Sequence, residues 1–375
     1  MRCFDIRCAK QGCAVAFSLL LIASYALAGA PAPRPDTGEQ DTPENQVASL
    51  GSFQFENGET IDDLKISYVT YGKLNATRDN AILSLQHFTG DHHDNEFLIG
   101  PGKALDTEKY FVIATDFIGN ARLRQGLTTG PTNSGLKMRF PRITARDWVN
   151  ADYKLVKDYL GIDHVVATVG ASIGGINAYQ LAVSHPDFTT AIIPIAASPH
   201  TNPQIQLVLR HVKDVIALDP AWYGGQYDIN PITGLQVALA GLTPWWRSSE
   251  WYNSQKVRDV EASWTSIWTV IAPQDARDIY YQLDGWAEFN VGDTPGFKGD
   301  TKTALAKVKA KTLVIAIKED LIVRREETMY AKEAIPDASY LEISSGFGHN
   351  ACCGFDPKAN EAMNRGIANF LSAIK

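Results

Sequence analysis

The sequence predicts an α/β protein: a mostly parallel central sheet with helices on both faces and a helical cap inserted late in the chain. Three observations carry this. Short apolar runs of β-forming residues alternate with segments of helical apolar spacing. The alternation lapses between about residues 201 and 300, where seven of the eight tryptophans fall and the spacing is helical. A Gly-x-Ser-x-Gly pattern, Gly170 to Gly174, stands where an apolar run gives way to a helical one.

In chain order, the first residues are basic (Arg2, Arg7, Lys10, against Asp5) and lead into the apolar stretch Ala14–Ala28. That length suits a signal peptide and is short for a membrane span, and Ala26-Leu27-Ala28 offers a small-x-small cleavage site before Gly29. Residues 1–28 are therefore predicted to be a signal peptide and the chain to be exported, periplasmic or secreted. An uncleaved anchor is the alternative. Residues 29–46, rich in Pro, Asp, Glu and Thr, read as a disordered lead-in.

The first part of the core spans 47–200. Gly51–Phe55 and Leu64–Tyr71 flank the turn Glu56-Asn57-Gly58 and predict a hairpin. Ala81–Leu85 and Tyr110–Thr115 read as buried parallel strands. Trp148–Leu160 has helical spacing and ends at Gly161. His164–Val169 is a strand, Ile173–Ser184 a helix stopped by His185-Pro186, and Ala191–Ile195 a strand. Residues 201–300 form the cap. The second part of the core, 301–375, supplies strands Thr312–Ile317 and Ala338–Ile343 and a closing helix over Asn360–Ile374.

Composition narrows the partners. Hydrophobic residues are 45% and charged residues 21% of 375, enough to bury a full core. The net charge is -7, with no Lys/Arg run, which argues against nucleic acid or an anionic membrane surface. The expected partner is a small-molecule acyl substrate, with no stable membrane insertion after processing and a homodimer left open. No cofactor is called for. Loss of the leader removes Cys3, Cys8 and Cys13 and leaves the adjacent pair Cys352-Cys353. A vicinal disulfide and two small, partly buried thiols both stay open.

The chemistry centres on Ser172. A serine on a tight strand-to-helix turn needs small neighbours, and its hydroxyl needs a base. Asp320 and His349 each follow a strand, in the order serine, acid, histidine, and are predicted to complete a triad. Glu319 is the rival acid. A developing oxyanion would take the backbone N–H of Ile173 and that of Phe88, in the loop after Ala81–Leu85. The run Asp91-His92-His93-Asp94 invites a metal reading, but adjacent residues on an extended segment diverge, so no metal site is predicted.

With these residues in hand, the chain resembles the homoserine O-acetyltransferase family of α/β-hydrolase-fold proteins from about Phe53 onward. The resemblance rests on Tyr68–Ala76, Phe88-Thr89-Gly90, Thr128–Pro131, Phe140–Asp147, the Gly-Ala-Ser-Ile-Gly-Gly turn, Asp219–Trp222 and Gly348-His349. It implies the α/β-hydrolase fold with a helical cap and the triad Ser172, Asp320 and His349. It departs where the family recognises homoserine. The acid after the histidine is Asn350, the cap arginine aligns with Lys213 (Arg210 one turn away), and a cap tyrosine becomes Trp246. The sequence reading is therefore an exported serine hydrolase of esters, thioesters or lactones, with an O-acyltransferase of the homoserine type as the alternative. A non-catalytic binder would not need all three triad residues.

Overall fold

The computed structural model describes residues 44–120, 127–262 and 274–374. The predicted signal peptide, the lead-in up to Pro43, and Trp264 and Trp268 lie outside the described residues. No helix among the described residues is long and apolar enough to cross a membrane.

The strands are β1 Gln46–Ser49, β2 Phe53–Gln54, β3 Thr60–Ile61, β4 Lys65–Tyr71, β5 Ala81–Leu85, β6 Phe111–Thr115, β7 Val165–Ala171, β8 Thr189–Ile195, β9 Lys311–Ile317 and β10 Ser339–Ile343. Eight of them form one sheet in the order β1-β4-β6-β5-β7-β8-β9-β10. Neighbours from β6 to β10 are all parallel, and β4 and β1 extend one edge antiparallel. Side chains alternate across each strand, so Ala81, Leu83 and Leu85 of β5 enter the larger core and Ile82 the smaller one on the opposite face. Helices cover both cores, which is why the central strands read as continuous apolar runs.

On the larger core lie α1 Ala145–Lys154 and α2 Ile173–Ser184. A capping box starts α1: the Thr144 hydroxyl accepts from the Asp147 N–H, and the Asp147 carboxylate accepts from the Thr144 N–H. This start lies three residues before the predicted one. Trp148 of α1 is fully buried, its indole N–H donating to the Ile118 carbonyl at 3.0 Å. A π-helical turn, Leu155–Tyr159, extends α1 before Gly161, at φ +65°, ends it. After β8 come α3 Pro203–Leu218, α4 Ile232–Ala240, α5 Thr243–Trp246, α6 Ser249–Ser254, α7 Ala276–Ala287 and α8 Thr301–Leu305. Among the described residues, none of the main sheet's strands falls in that segment. Helix α9 Arg325–Ala334 joins β9 to β10, and α10 Pro357–Ser372 covers the smaller core with Ala359, Met363, Ile367 and Leu371.

The hairpin differs from expectation. Its turn does lie at Asn57-Gly58, with the Phe55 N–H donating to the Glu59 carbonyl at 2.8 Å. Its strands, however, are β2 and β3, two residues each. Leu64–Tyr71 is not the returning arm, because β4 pairs instead with β6 and β1 in the main sheet.

Parallel strands end at a common edge. The segments after β5, β7, β9 and β10 therefore emerge together, and they carry Phe88, Ser172, Asp320 and His349.

Candidate active site

Ser172 sits between β7 and α2 with φ +54° and ψ −119°, a conformation that non-glycine residues rarely adopt. Its neighbours make this possible. A Cβ at Gly170 would lie 2.3 Å from the Gly174 carbonyl carbon, and one at Gly174 would lie 2.5 Å from the Leu85 carbonyl oxygen. A Cβ at Gly175 would lie 2.5 Å from Ala197 Cβ. The Ser172 N–H is anchored to the Ile195 carbonyl at 2.9 Å. Gly174→Ala would press a methyl group onto rigid backbone of the β5 exit. We expect folded protein with turnover of an activated acyl ester reduced by about a hundredfold or more, checked by initial rates beside a melting curve.

The Ser172 hydroxyl lies 2.9 Å from His349 Nε2, and His349 Nδ1 lies 2.6 Å from Asp320 Oδ2. All three side chains are buried. Asp320 Oδ1 accepts the N–H groups of Ile322 at 2.7 Å and Val323 at 2.9 Å, so the carboxylate is held at both oxygens. Burial disfavours charge on His349, but the Asp320 carboxylate overrides it and holds the imidazole above the ordinary histidine range. Glu319 takes another task. Its oxygens accept the Ser344 hydroxyl at 2.6 Å and the Ser345 N–H at 2.7 Å, bracing the turn toward His349.

Ile173 is the first residue of α2, so its N–H precedes the helix's own ladder and lies beside the serine. Phe88 lies in the loop after β5, half-buried, its ring 5.7 Å from that of Trp286. Remote side chains shape this loop. Gln86 Oε1 accepts from the Phe117 N–H and Asn120 Nδ2, both at 3.1 Å. Gln274 Nε2 donates to the Thr89 carbonyl at 3.0 Å, and Asn95 Nδ2 to the Leu85 carbonyl at 2.9 Å. Sequence reasoning missed Gln274 above all, because no local pattern marks a glutamine as the brace of a loop 185 residues away.

In the run Asp91-His92-His93-Asp94 the two imidazoles stay together, their ring centres 4.4 Å apart and each Nε2 against Asn45 Oδ1 at 2.9 and 3.2 Å, while their other contacts differ. His92 bonds Asp116 at 2.9 Å, His93 bonds Glu96 at 2.7 Å, and Asp94 faces His87 at 3.3 Å. Among the described residues no group of three or more His, Cys, Asp or Glu is arranged to hold a metal ion.

The four candidate recognition residues separate. Helix α5, with Trp246, packs on the turn Gly348–Cys353 that carries His349. Asn350 lies in that turn, its N–H donating to the Phe347 carbonyl at 3.1 Å and its side chain half-buried. Arg210 instead points to solvent from α3, paired with Asp214 one turn on at 2.9 Å. Lys213 is ion-paired with Asp284, with its ammonium 4.3 Å from the Tyr280 ring centre. No ion pair or hydrogen bond among the described residues joins either cation to the triad.

Arg247 and Ser248, to which the sequence reading gave no role, fix the α5–α6 segment to this turn. The Ser248 N–H donates to the Gly346 carbonyl at 3.1 Å, and the Arg247 guanidinium lies 4.0 Å from the Trp251 ring centre and 5.2 Å from that of Phe347. Gly348, at φ +53°, lies so close that a Cβ would be 2.9 Å from Arg247 Cα.

Comparison with known proteins agrees with this fold. The family described as alpha/beta hydrolase fold matches residues 85–353. A homoserine O-acetyltransferase of Leptospira biflexa is 31% identical, covering 88% of this chain and 94% of that protein. The acetyl esterase MekB superposes with a TM-score of 0.83 at 26% identity, over 88% of this chain and 97% of that one. The homoserine O-acetyltransferase of Bacillus anthracis superposes with a TM-score of 0.80 at 28% identity, over 88% and 98%. Likeness of that extent, running through both halves of the sheet, makes this chain a member of the homoserine O-acetyltransferase family within the α/β-hydrolase fold, a family of enzymes built on a serine nucleophile.

Proposed function

We propose that the protein moves acetyl groups through an acetyl-Ser172 intermediate and delivers them to a small alcohol of the homoserine kind. The observation that carries the reading is the unbroken row Ser172–His349–Asp320, with spacings of 2.9 and 2.6 Å. The names of the relatives support the acyl group, since an acetyl esterase and O-acetyltransferases share it. They support an alcohol acceptor better than the hydrolysis expected from the sequence, because the curated relatives of about 30% identity are homoserine O-acetyltransferases.

In this mechanism His349 Nε2 takes the Ser172 proton as Oγ attacks the acetyl carbonyl. Asp320 keeps Nδ1–H donating and steadies the imidazolium. The N–H groups of Ile173 and Phe88 receive the oxyanion, and His349 returns the proton to the departing oxygen or sulfur. The same steps then run with the acceptor hydroxyl as nucleophile. His349 must be neutral to begin. Because its pKa is raised, activity should vanish as pH falls, with a midpoint above the ordinary histidine value. A kcat/KM profile with its acid limb below that value would contradict this role.

A second reading, release of the acetyl group to water, is favoured by the recognition residues. Asn350 bears no charge to meet an ammonium, and Arg210 and Lys213 are already paired with Asp214 and Asp284. The deciding experiment mixes the protein with acetyl-CoA or 4-nitrophenyl acetate, with and without homoserine, and follows intact mass and products. Acetylated Ser172 is expected in both cases. O-acetylhomoserine at a rate that rises with homoserine supports transfer, and acetate at an unchanged rate supports hydrolysis. Absence of any Ser172 adduct or turnover would remove the proposal. The predicted signal peptide adds an expectation of export, which N-terminal sequencing of the mature protein at or near Gly29 would test.

A further inference from the structure

The turn that carries His349 ends in two thiols. Cys352 is fully buried, Cys353 is half-buried, and neither is in a disulfide. Their sulfurs are 3.5 Å apart. Beside Cys353 lies His87, the residue before Phe88. Both nitrogens of His87 face groups that can only accept: Nδ1 is 2.9 Å from the Phe88 carbonyl, and Nε2 is 3.3 Å from Asp94 Oδ2. A proton on each nitrogen suits both contacts, so the surroundings favour the imidazolium. Burial pushes His87 down, but Asp94 and the Cys353 sulfur outweigh it and push the pKa up to about 10. The two thiols diverge accordingly. A hydrogen bond from Cys352 and the cation at His87 hold Cys353 well below the ordinary thiol range, against its burial, whereas Cys352 is raised. A thiolate beside a fixed cation, with a second thiol in contact, is the arrangement in which a sulfur is attacked and then resolved.

We propose that Cys353 is a modification site for peroxides, resolved by Cys352 into a vicinal disulfide that switches off the neighbouring His349. In the first step the Cys353 thiolate attacks one oxygen of hydrogen peroxide. An S–O bond forms, the O–O bond breaks, and hydroxide leaves and is protonated to water. The sulfur loses two electrons and the peroxide gains them. In the second step Cys352 loses its proton and attacks the Cys353 sulfenic acid. The S–S bond forms, the S–O bond breaks, and the departing oxygen leaves as a second water. Closing the sulfurs from 3.5 Å to about 2.05 Å draws in the turn Gly348–Cys353, which holds His349 2.9 Å from Ser172.

The test uses the full chain, treated with submillimolar hydrogen peroxide, blocked with iodoacetamide and digested with trypsin. The peptide Glu333–Lys358 contains both cysteines and none of the N-terminal three. We expect this peptide to lose two hydrogen masses and escape alkylation, and acetyl-ester turnover to fall by at least about tenfold and return with dithiothreitol. Cys352→Ser should stop at a Cys353 sulfenic acid that dimedone traps. Cys353→Ser should keep its untreated activity under peroxide. His87→Gln should slow oxidation by about tenfold. An unchanged, fully alkylated wild-type peptide would overturn the proposal. So would oxidation of Cys353→Ser at the wild-type rate, or a disulfide that leaves turnover intact. The peptide mass is read without turnover, so failure of the Ser172 chemistry could not be mistaken for failure of this site.

Discussion

Ser172→Ala should lower kcat on an acetyl ester by about 10^4- to 10^6-fold while the protein still folds. The turn at φ +54° is set by Gly170, Gly174 and Gly175, which the substitution leaves untouched, and alanine adds no bulk. The loss follows from what the site has left. Without Oγ, nothing 2.9 Å from His349 Nε2 can become covalent, and catalysis falls to what oriented N–H groups achieve with water. His349→Ala should be comparably severe, and the double variant little worse than either single one, because the two act as a unit. Rates of purified variants with matching melting curves check this. Near-normal turnover by Ser172→Ala would refute serine catalysis here.

Asp320→Asn should cost about 10^4-fold in kcat. The Asp320 carboxylate accepts two backbone N–H groups on Oδ1 and His349 Nδ1 on Oδ2. An amide can keep its oxygen on the backbone donors only by turning its NH2 toward His349. The imidazole then presents a lone pair at Nδ1 and a proton at Nε2, the wrong tautomer for taking a proton from Ser172. Glu319→Gln should leave turnover close to the parent, because Gln can still accept the Ser345 N–H and Glu319 reaches the serines, not the imidazole. The reverse ranking in steady-state assays of the two variants would make Glu319 the acid.

The serine turn was legible because its demands are local. Tight backbone contacts at Gly170 and Gly174 require glycine at fixed offsets, and a buried strand and a helix flank them. Asp320 and His349 were legible because parallel strands end at one edge, so a residue after a strand can be placed without knowing its contacts. Legibility failed where a partner is distant in sequence. Strand β1 is four residues long and is defined by β4, and the hairpin arms were set by competition from β6 for β4. Lys213 aligned with a recognition role, yet Asp284, 71 residues away, occupies it. Periodicity also misses caps: the polar pair Thr144 and Asp147 starts α1 ahead of its first large apolar side chain.

The contact between the α5–α6 segment and the His349 turn sets the boundary of any transplantable module. The Ser248 N–H donates to Gly346, the Arg247 guanidinium lies 5.2 Å from the Phe347 ring centre, and Gly348 passes close to Arg247. A segment grafted from a relative in place of α3 to α8 would be cut, by sequence logic, between β8 and β9. That cut separates residues 246–251 from 346–348, which fit one another by backbone contact and not by side-chain type alone. Grafted alone, the segment would lose its fit to the turn that holds His349. The exchangeable unit is thus discontinuous, the α5–α6 segment together with a turn roughly a hundred residues later, and the two should be engineered as a pair.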